Sequence, residues 1–326
     1  MNTIQAFPLI AMIAVFLFTG YSCNHEQRTT TKIHRDGSCE RTVFVKNGSD
    51  TSSSFSVPND KSWDSRVEKD SLKEEVFIAG KMFNNVNQMN DEYRKKGKAG
   101  VDINFEKKFR WFYTYFYYEE IYRAYFPFKK ISLESFLTKE EYAQYEKEDT
   151  NKALNKRLDE FEMRSIFEEF YGQLIDSVKS LHDPSLPVSV FLAKKDEFIT
   201  RGVDSSHYDK DDIEYQEKIL GLKLRGKLER QIDGIKKSIN SKVEFVMGID
   251  GRYINEVIMP GIILNTNASI VEGSKVTWIL DGKKFCYHDY SMSVESRIAN
   301  PWATYATGGV LLVIVGLLLL PRSKRK

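Results

Sequence analysis

From Trp302 to Leu320 the chain carries no Asp, Glu, Lys or Arg, and it then closes on Pro321-Arg322-Ser323-Lys324-Arg325-Lys326. About 19 residues at ~1.5 Å rise make roughly 28 Å of helix, close to the hydrocarbon thickness of a bilayer. A buried core helix is the bland alternative, and so long an uncharged run disfavours it. Residues 301–320 therefore read as a transmembrane helix and 321–326 as a basic cytoplasmic tail, with everything upstream outside the cytoplasm. Trp302 and Tyr305 stand where an interfacial aromatic belt belongs.

A second membrane signal lies at the other end. Ile4 to Thr19 is apolar and closes on Gly20-Tyr21-Ser22-Cys23, so residues 1–22 read as an export signal followed by a cysteine. Cys23 is the candidate lipidation site, as in a lipoprotein; an uncleaved signal anchor and simple cleavage nearby are the alternatives. Gly20 stands where a bacterial lipobox has Leu, and the n-region lacks Lys and Arg. A lipid in the outer leaflet and a helix through the same bilayer favour the bacterial inner membrane.

Between the anchors, residues 23–300 are an extracytoplasmic domain long enough for one large unit or two small ones. A formal net charge of +2 comes from interspersed Lys, Arg, Asp and Glu. With no basic stripe, a nucleic-acid partner is not expected. The chain has three cysteines. Setting Cys23 aside leaves Cys39 and Cys286, either a disulfide in an oxidising compartment or two separate buried thiols.

The extracytoplasmic stretch divides by pattern. Thr29 to Arg35 and Cys39 to Lys46 are β-rich runs joined by Asp36-Gly37-Ser38, a hairpin within residues 24–46. A polar low-complexity loop surrounds Asn47 to Ser54. In 99–126, Phe109, Trp111, Tyr113, Tyr115 and Tyr117 recur with period two, while Phe112 and Phe116 take the other parity. A central strand buried on both faces fits best, and a helix through Phe105, Phe109, Phe112 and Phe116 competes.

Residues 139–240 read as a helical insertion. Thr138-Lys139-Glu140-Glu141 is a capping box, so a helix begins at Lys139. The apolar set from Leu154 to Leu181 marks a longer helix ended by Asp183-Pro184, and another runs from about Asp211 to Ser238, weakened at Gly221 and Gly226. From 243 to 300, Val243–Met247, Tyr253–Met259, Ile262–Asn265, Lys275–Leu280 and Phe285–Ser296 form a β-meander punctuated by turn residues. The expected fold is α+β: an antiparallel sheet of N-terminal hairpin plus C-terminal meander, covered by long amphipathic helices, with a single transmembrane helix at the C-terminus.

Pro260-Gly261, Asn267-Ala268, Glu272-Gly273 and Val276-Thr277-Trp278, close before the apolar helix, resemble the membrane-proximal β-domain of LppM-like bacterial envelope lipoproteins. The resemblance covers residues 24–46 and 243–320. It leaves 49–241 as an insertion and departs at Ala268, where such domains often carry Gly. With Asp36-Gly37-Ser38-Cys39 and Phe109 to Tyr115, the chain is also similar to doubly anchored envelope lipoproteins of uncharacterised function. The resemblance implies a lipid- or glycolipid-handling envelope module and transfers no catalytic residues.

Chemistry-bearing motifs are sparse. The five histidines show no metal-ligand spacing, and there is no Cys-x-x-Cys, Walker loop, dinucleotide fingerprint or nucleophile elbow. His182-Asp183 and His288-Asp289 are neighbours whose side chains point apart. No metal, no cofactor and no catalytic residue is expected, and the chain does not read as an enzyme.

The aromatic band from Phe105 to Phe128 is either core or an apolar pocket for an acyl chain. In the second case Trp111, Tyr113, Tyr115 and Tyr117 line it, and Arg110 and Arg123 contact a headgroup. The leading expectation is a membrane-anchored module binding a lipid or glycolipid. The alternative is a non-catalytic scaffold of an envelope complex that uses the helical faces from Ile213 to Ile235 against a protein partner.

Overall fold

The computed structural model describes residues 26–46, 61–69, 74–96, 100–147, 151–204, 212–247 and 251–319. The export segment with Cys23, the polar loop after Lys46, the residues around Asp209 and the basic tail lie outside the described residues. The chain divides into a sheet unit, Cys23–Tyr125 with Gly248–Lys326, and a helical unit containing Phe126–Met247.

The sheet unit opens with β1 (Glu26–Ile33) and β2 (Cys39–Lys46), paired antiparallel from Ile33↔Cys39 to Glu26↔Lys46. Asp36 makes the turn: its Oδ1 accepts from Ser38 N at 3.0 Å and from Ser38 Oγ at 2.7 Å, while Gly37 takes φ +99°, which a side chain disfavours. β3 (Asp64–Lys69) and β4 (Glu75–Phe83) extend the sheet beyond β2, and α1 (Val86–Lys96) follows. On the other side β1 pairs in parallel with β7 (Arg252–Ile258), which pairs antiparallel with β10 (Lys275–Asp281), and β9 (Ile270–Glu272) is the edge. A second sheet orders β5 (Val101–Phe109), β6 (Tyr113–Tyr122), β11 (Tyr290–Ala299) and β8 (Ile262–Thr266). The helix α8 (Pro301–Leu319) continues directly from β11.

The fold is α+β, and the N-terminal hairpin joins the C-terminal strands as its alternation requires. Three features depart from expectation. The strands form two sheets, because β8 and β11 of the meander leave β7, β9 and β10 to pair with the aromatic strands. The aromatic stretch is a hairpin broken at Arg110–Phe112, and β6 buries one face only: Thr114, Phe116, Tyr118, Glu120 and Tyr122 point inward while Tyr113, Tyr115 and Tyr117 do not. Phe285 lies in a 3₁₀ turn over 282–285 instead of a strand. The core joins both sheets through Trp278, Phe83, Phe116, Tyr118, Phe285 and Met89 of α1.

In the helical unit, α2 (Leu133–Phe136) and α3 (Lys139–Glu146) precede the 30-residue α4 (Lys152–Leu181). Thr138 closes the expected capping box with Glu141, and α4 ends at His182 in the left-handed conformation. α5 (Val188–Asp204), without a sequence expectation, packs on α4 through Tyr171 and Phe198, rings 4.6 Å apart. The approach is close enough that a Cβ on Gly202 would come within 2.6 Å of Phe167.

The single helix expected over 211–238 is two, α6 (Asp212–Leu220) and α7 (Glu229–Met247). Gly221 and Gly226 take positive φ, and Glu217 Oε1 accepts the amides of Leu224 and Arg225 in the break. Val243–Met247 is the last turn of α7 and not a strand, since Ile239 and Val243 continue its buried face.

Candidate functional site

The residues between β5 and β6 make a tight turn, with Arg110 N donating to Tyr113 O at 2.7 Å and Tyr113 N returning to Arg110 O at 3.2 Å. Phe109, Trp111 and Phe112 at this tip are exposed by 57%, 50% and 45%. Three neighbouring large apolar side chains on a turn lie well outside what a water-facing loop needs.

The tip is held by the start of α8. Asn300 donates its backbone N–H to Phe112 O at 2.8 Å and its side-chain amide to Arg110 O at 2.9 Å and to Trp111 O at 3.3 Å. Its Oδ1 accepts from Thr114 Oγ1 at 3.0 Å. One asparagine thereby satisfies all three carbonyls of the turn. Trp302 stacks on Phe109 with centroids 6.1 Å apart and meets Trp111 edge-on at 5.2 Å. The Trp111 indole N–H donates to Thr307 Oγ1 at 2.8 Å, one and a half turns into the helix. Among the residues of α8 only Ala303 is buried, and α8 is the one helix among the described residues long and apolar enough to cross a membrane.

The structure separates the residues expected to line one pocket. Tyr113, Tyr115 and Tyr117 share the outward face of β6, opposite Ala299, Arg297 and Glu295 of β11. The Arg297 guanidinium lies 4.6 Å from the Tyr113 ring centre, a cation–π distance. Burial and the adjacent Glu119 push the Tyr117 phenol up from its ordinary value. Arg110 belongs to the tip. Arg123 does not: it follows the far end of β6, pairs with Asp102 and Asp289, and lies ~33 Å from Arg110 at ~3.3 Å per strand residue. The two arginines cannot reach one headgroup, and this aromatic band is an open surface instead of an enclosed pocket.

The inward face of β6 carries a different arrangement. Arg41 of β2 and Glu120 of β6, both fully buried, join the two sheets through bonds of 2.7 and 3.0 Å. Arg41 also donates to Tyr93 and Thr31, and Glu120 accepts from Tyr118 and from Asn255. Burial pushes the Glu120 carboxyl up, but the Arg41 charge with the three donors outweighs it and holds the carboxyl below its ordinary value. The pair is paired on every side, which marks it as a clasp between sheets.

Cys39 and Cys286 are buried thiols with no disulfide between them. Cys39 contacts the Met89 sulfur at 4.0 Å, and burial pushes its thiol up to about 11. Of the two alternatives, the structure has the separate buried thiols. No group of three or more His, Cys, Asp or Glu side chains suited to a metal occurs among the described residues.

The faces expected to meet a protein partner are also internal. Ile213, Ile219, Leu220, Leu224, Leu228, Ile232 and Ile235 are all buried in the helical unit. Asn300 is the residue that sequence reasoning passed over. Its signal was there: an Asn directly before a Pro that opens an apolar run stands at a helix N-cap.

No family profile matches the chain, and no curated protein matches it significantly in sequence. Among solved structures, the folded domain of LppM from Mycobacterium tuberculosis is similar at 9% identity over 86% of this chain and 93% of that one, with a TM-score of 0.31. Agreement of that size is too small to transfer any property of that domain to this chain.

Proposed function

We propose that this chain is a membrane-anchored module of the bacterial envelope, which holds its sheet unit at the outer surface of the inner membrane and binds a lipid or glycolipid there. The observation that carries this reading is the junction of β11 with α8. A helix of bilayer length leaves the folded sheet without a linker and is fastened to it by Asn300. The outward row of Tyr113, Tyr115 and Tyr117 beside Arg297 then stands next to the headgroups. Ring faces, hydroxyls and a guanidinium suit sugars and phosphates better than an acyl chain.

Two experiments test this. With residues 1–22 replaced by a cleaved export signal and Cys23→Ser, the chain should stay with the membrane after a carbonate wash, and the same chain ending at Asn300 should not; release of the first would remove the anchor. Native mass spectrometry of the detergent-solubilised full chain should then show a co-purified lipid mass that Tyr113→Ala/Tyr115→Ala loses at unchanged melting temperature. A clean protein mass from the wild type would overturn the lipid ligand. Scaffolding is the second reading, favoured by the edge strand β9, whose Ile270 and Val271 are exposed by 41% and 51%. Such an edge accepts a strand from a partner protein.

A further inference from the structure

The geometry points to the β5–β6 tip as a second membrane-inserted element, with Phe109, Trp111 and Phe112 lying among the upper acyl chains of the bilayer beside α8. This inference rests on the reading of α8 as a membrane-spanning helix and goes beyond it, because it concerns a hairpin of the folded sheet unit.

Depth makes the first argument. Trp111 is hydrogen-bonded to Thr307, six residues past Pro301, so its indole lies alongside the helix about 9 Å from the helix start. The 19 residues of α8 amount to about 28 Å, barely the hydrocarbon thickness of ~30 Å. If α8 slid outward until Trp111 stood in water, only about 18 Å of apolar helix would remain in the core. The basic tail would then be drawn into hydrocarbon, at a cost of several kcal/mol for its charges. The helix has no slack with which to keep the tip dry.

Hydrogen bonding makes the second. Irregular backbone is tolerated at membrane depth only where its polar groups are satisfied by protein. All three turn carbonyls, Arg110, Trp111 and Phe112, accept from Asn300, and the indole N–H of Trp111 is taken by Thr307. A water-facing turn has no need of such an arrangement, since solvent would satisfy those groups.

Composition makes the third. Trp, Phe and Tyr favour the headgroup boundary. Phe109, Trp111 and Trp302 form one exposed aromatic cluster across two chain segments, and Phe112 and Tyr305 add exposed rings on the same two segments. The charged residues Glu106, Lys107 and Lys108 begin only up the strand from the tip, and Arg110 has a stem long enough to carry its charge back to the phosphates. Two points of insertion, a helix and a hairpin locked to it, fix the tilt of the sheet unit and set the tyrosine row at headgroup level.

The test uses the full chain in phosphatidylcholine liposomes containing phosphatidylcholine brominated near the top of its acyl chains, with tryptophan emission as the readout. In Trp302→Phe the remaining indoles are Trp63 and Trp278, both buried in protein, and Trp111. The brominated lipid should remove emission from Trp302→Phe that Trp302→Phe/Trp111→Phe lacks altogether. Equal quenching of the two variants, in chains that still resist the carbonate wash, would overturn the hairpin insertion and leave the anchor standing. Extraction by carbonate would instead remove the anchor and the inference with it. Should Trp302→Phe fold poorly, Phe112→Trp in the Trp111→Phe background carries the same readout: quenching beyond that of Trp111→Phe alone supports the proposal, and none overturns it.

Discussion

The two ends of strand β6 solve opposite problems. Near its C-terminal end Glu120 places a charge inside an apolar interior, and near its N-terminal end Trp111 and Phe112 place apolar rings outside it. The charge is answered within the chain, by Arg41, Tyr118 and Asn255. The rings are answered only in part: Asn300 and Thr307 satisfy every turn carbonyl and the indole N–H, while the hydrocarbon faces stay open. A polar group buried with all its partners asks nothing of the surroundings. An apolar cluster whose turn carbonyls and indole N–H are already satisfied asks for an apolar environment, and a bilayer supplies one.

The sharpest way to break this contrast is at the interior end. Glu120→Ala strands the Arg41 guanidinium in a dry core and should lower stability by about 3–5 kcal/mol, seen as a large drop in melting temperature of the solubilised full chain. A loss below about 1 kcal/mol would mean that water reaches the pair. The same variant has a pH signature. Glu120 titrates lower in the folded state than unfolded, so its contribution is complete above about pH 5 and is lost as pH falls through the lowered folded value. The stability gap between wild type and Glu120→Ala should narrow in acid.

At the tip end, Gly261 holds the β7–β8 turn against β11 with φ +89°, where an added Cβ would fall 2.2 Å from Arg297 O. Gly261→Ala should cost about 2–3 kcal/mol and loosen the Tyr113–Arg297 contact, which near-ultraviolet dichroism reports. Asn300→Ala removes the side-chain clamp and should cost about 1–2 kcal/mol. Amide exchange at Arg110 and Tyr113 should quicken while the Arg41–Glu120 region stays protected; faster exchange throughout would show the two ends to be one cooperative element. The smallest effect belongs to the helical unit. Thr138→Ala opens the capping box at α3 and should cost about 1 kcal/mol, changing neither the tip nor the clasp.

Some elements were legible because their signals are local. The hairpin around Asp36-Gly37-Ser38, the start of α3 at Lys139, the end of α4 before Pro184 and the strands around Asn255 and Trp278 follow from side chains acting on backbone within a few residues. The break at Gly221 was visible as weakness but not as a stop, because its completion depends on Glu217 reaching forward to two amides. Val243–Met247 is β-rich in composition and helical in fact, since burial against its own unit outweighs propensity.

The aromatic stretch was the hardest to read. Its two parities look alike in sequence, and only pairing to β11 decides which faces inward. The pocket expected from Arg110, Trp111, Tyr113, Tyr115, Tyr117 and Arg123 failed for the same reason: strand length holds the two arginines apart, and the turn at 110–112 sends Trp111 away from the tyrosine row.

By itself the sequence determined that an uncharged helix of bilayer length stands at the C-terminal side of an α+β chain, because length and the absence of charge are one-dimensional properties. Only the tertiary structure decided that strands split between two sheets, that Arg41 meets Glu120 across them, and that Asn300 ties an aromatic hairpin to the helix. Those contacts join residues 79 and 190 positions apart. Such pairings depend on which surfaces the whole chain must bury, and no local propensity encodes them.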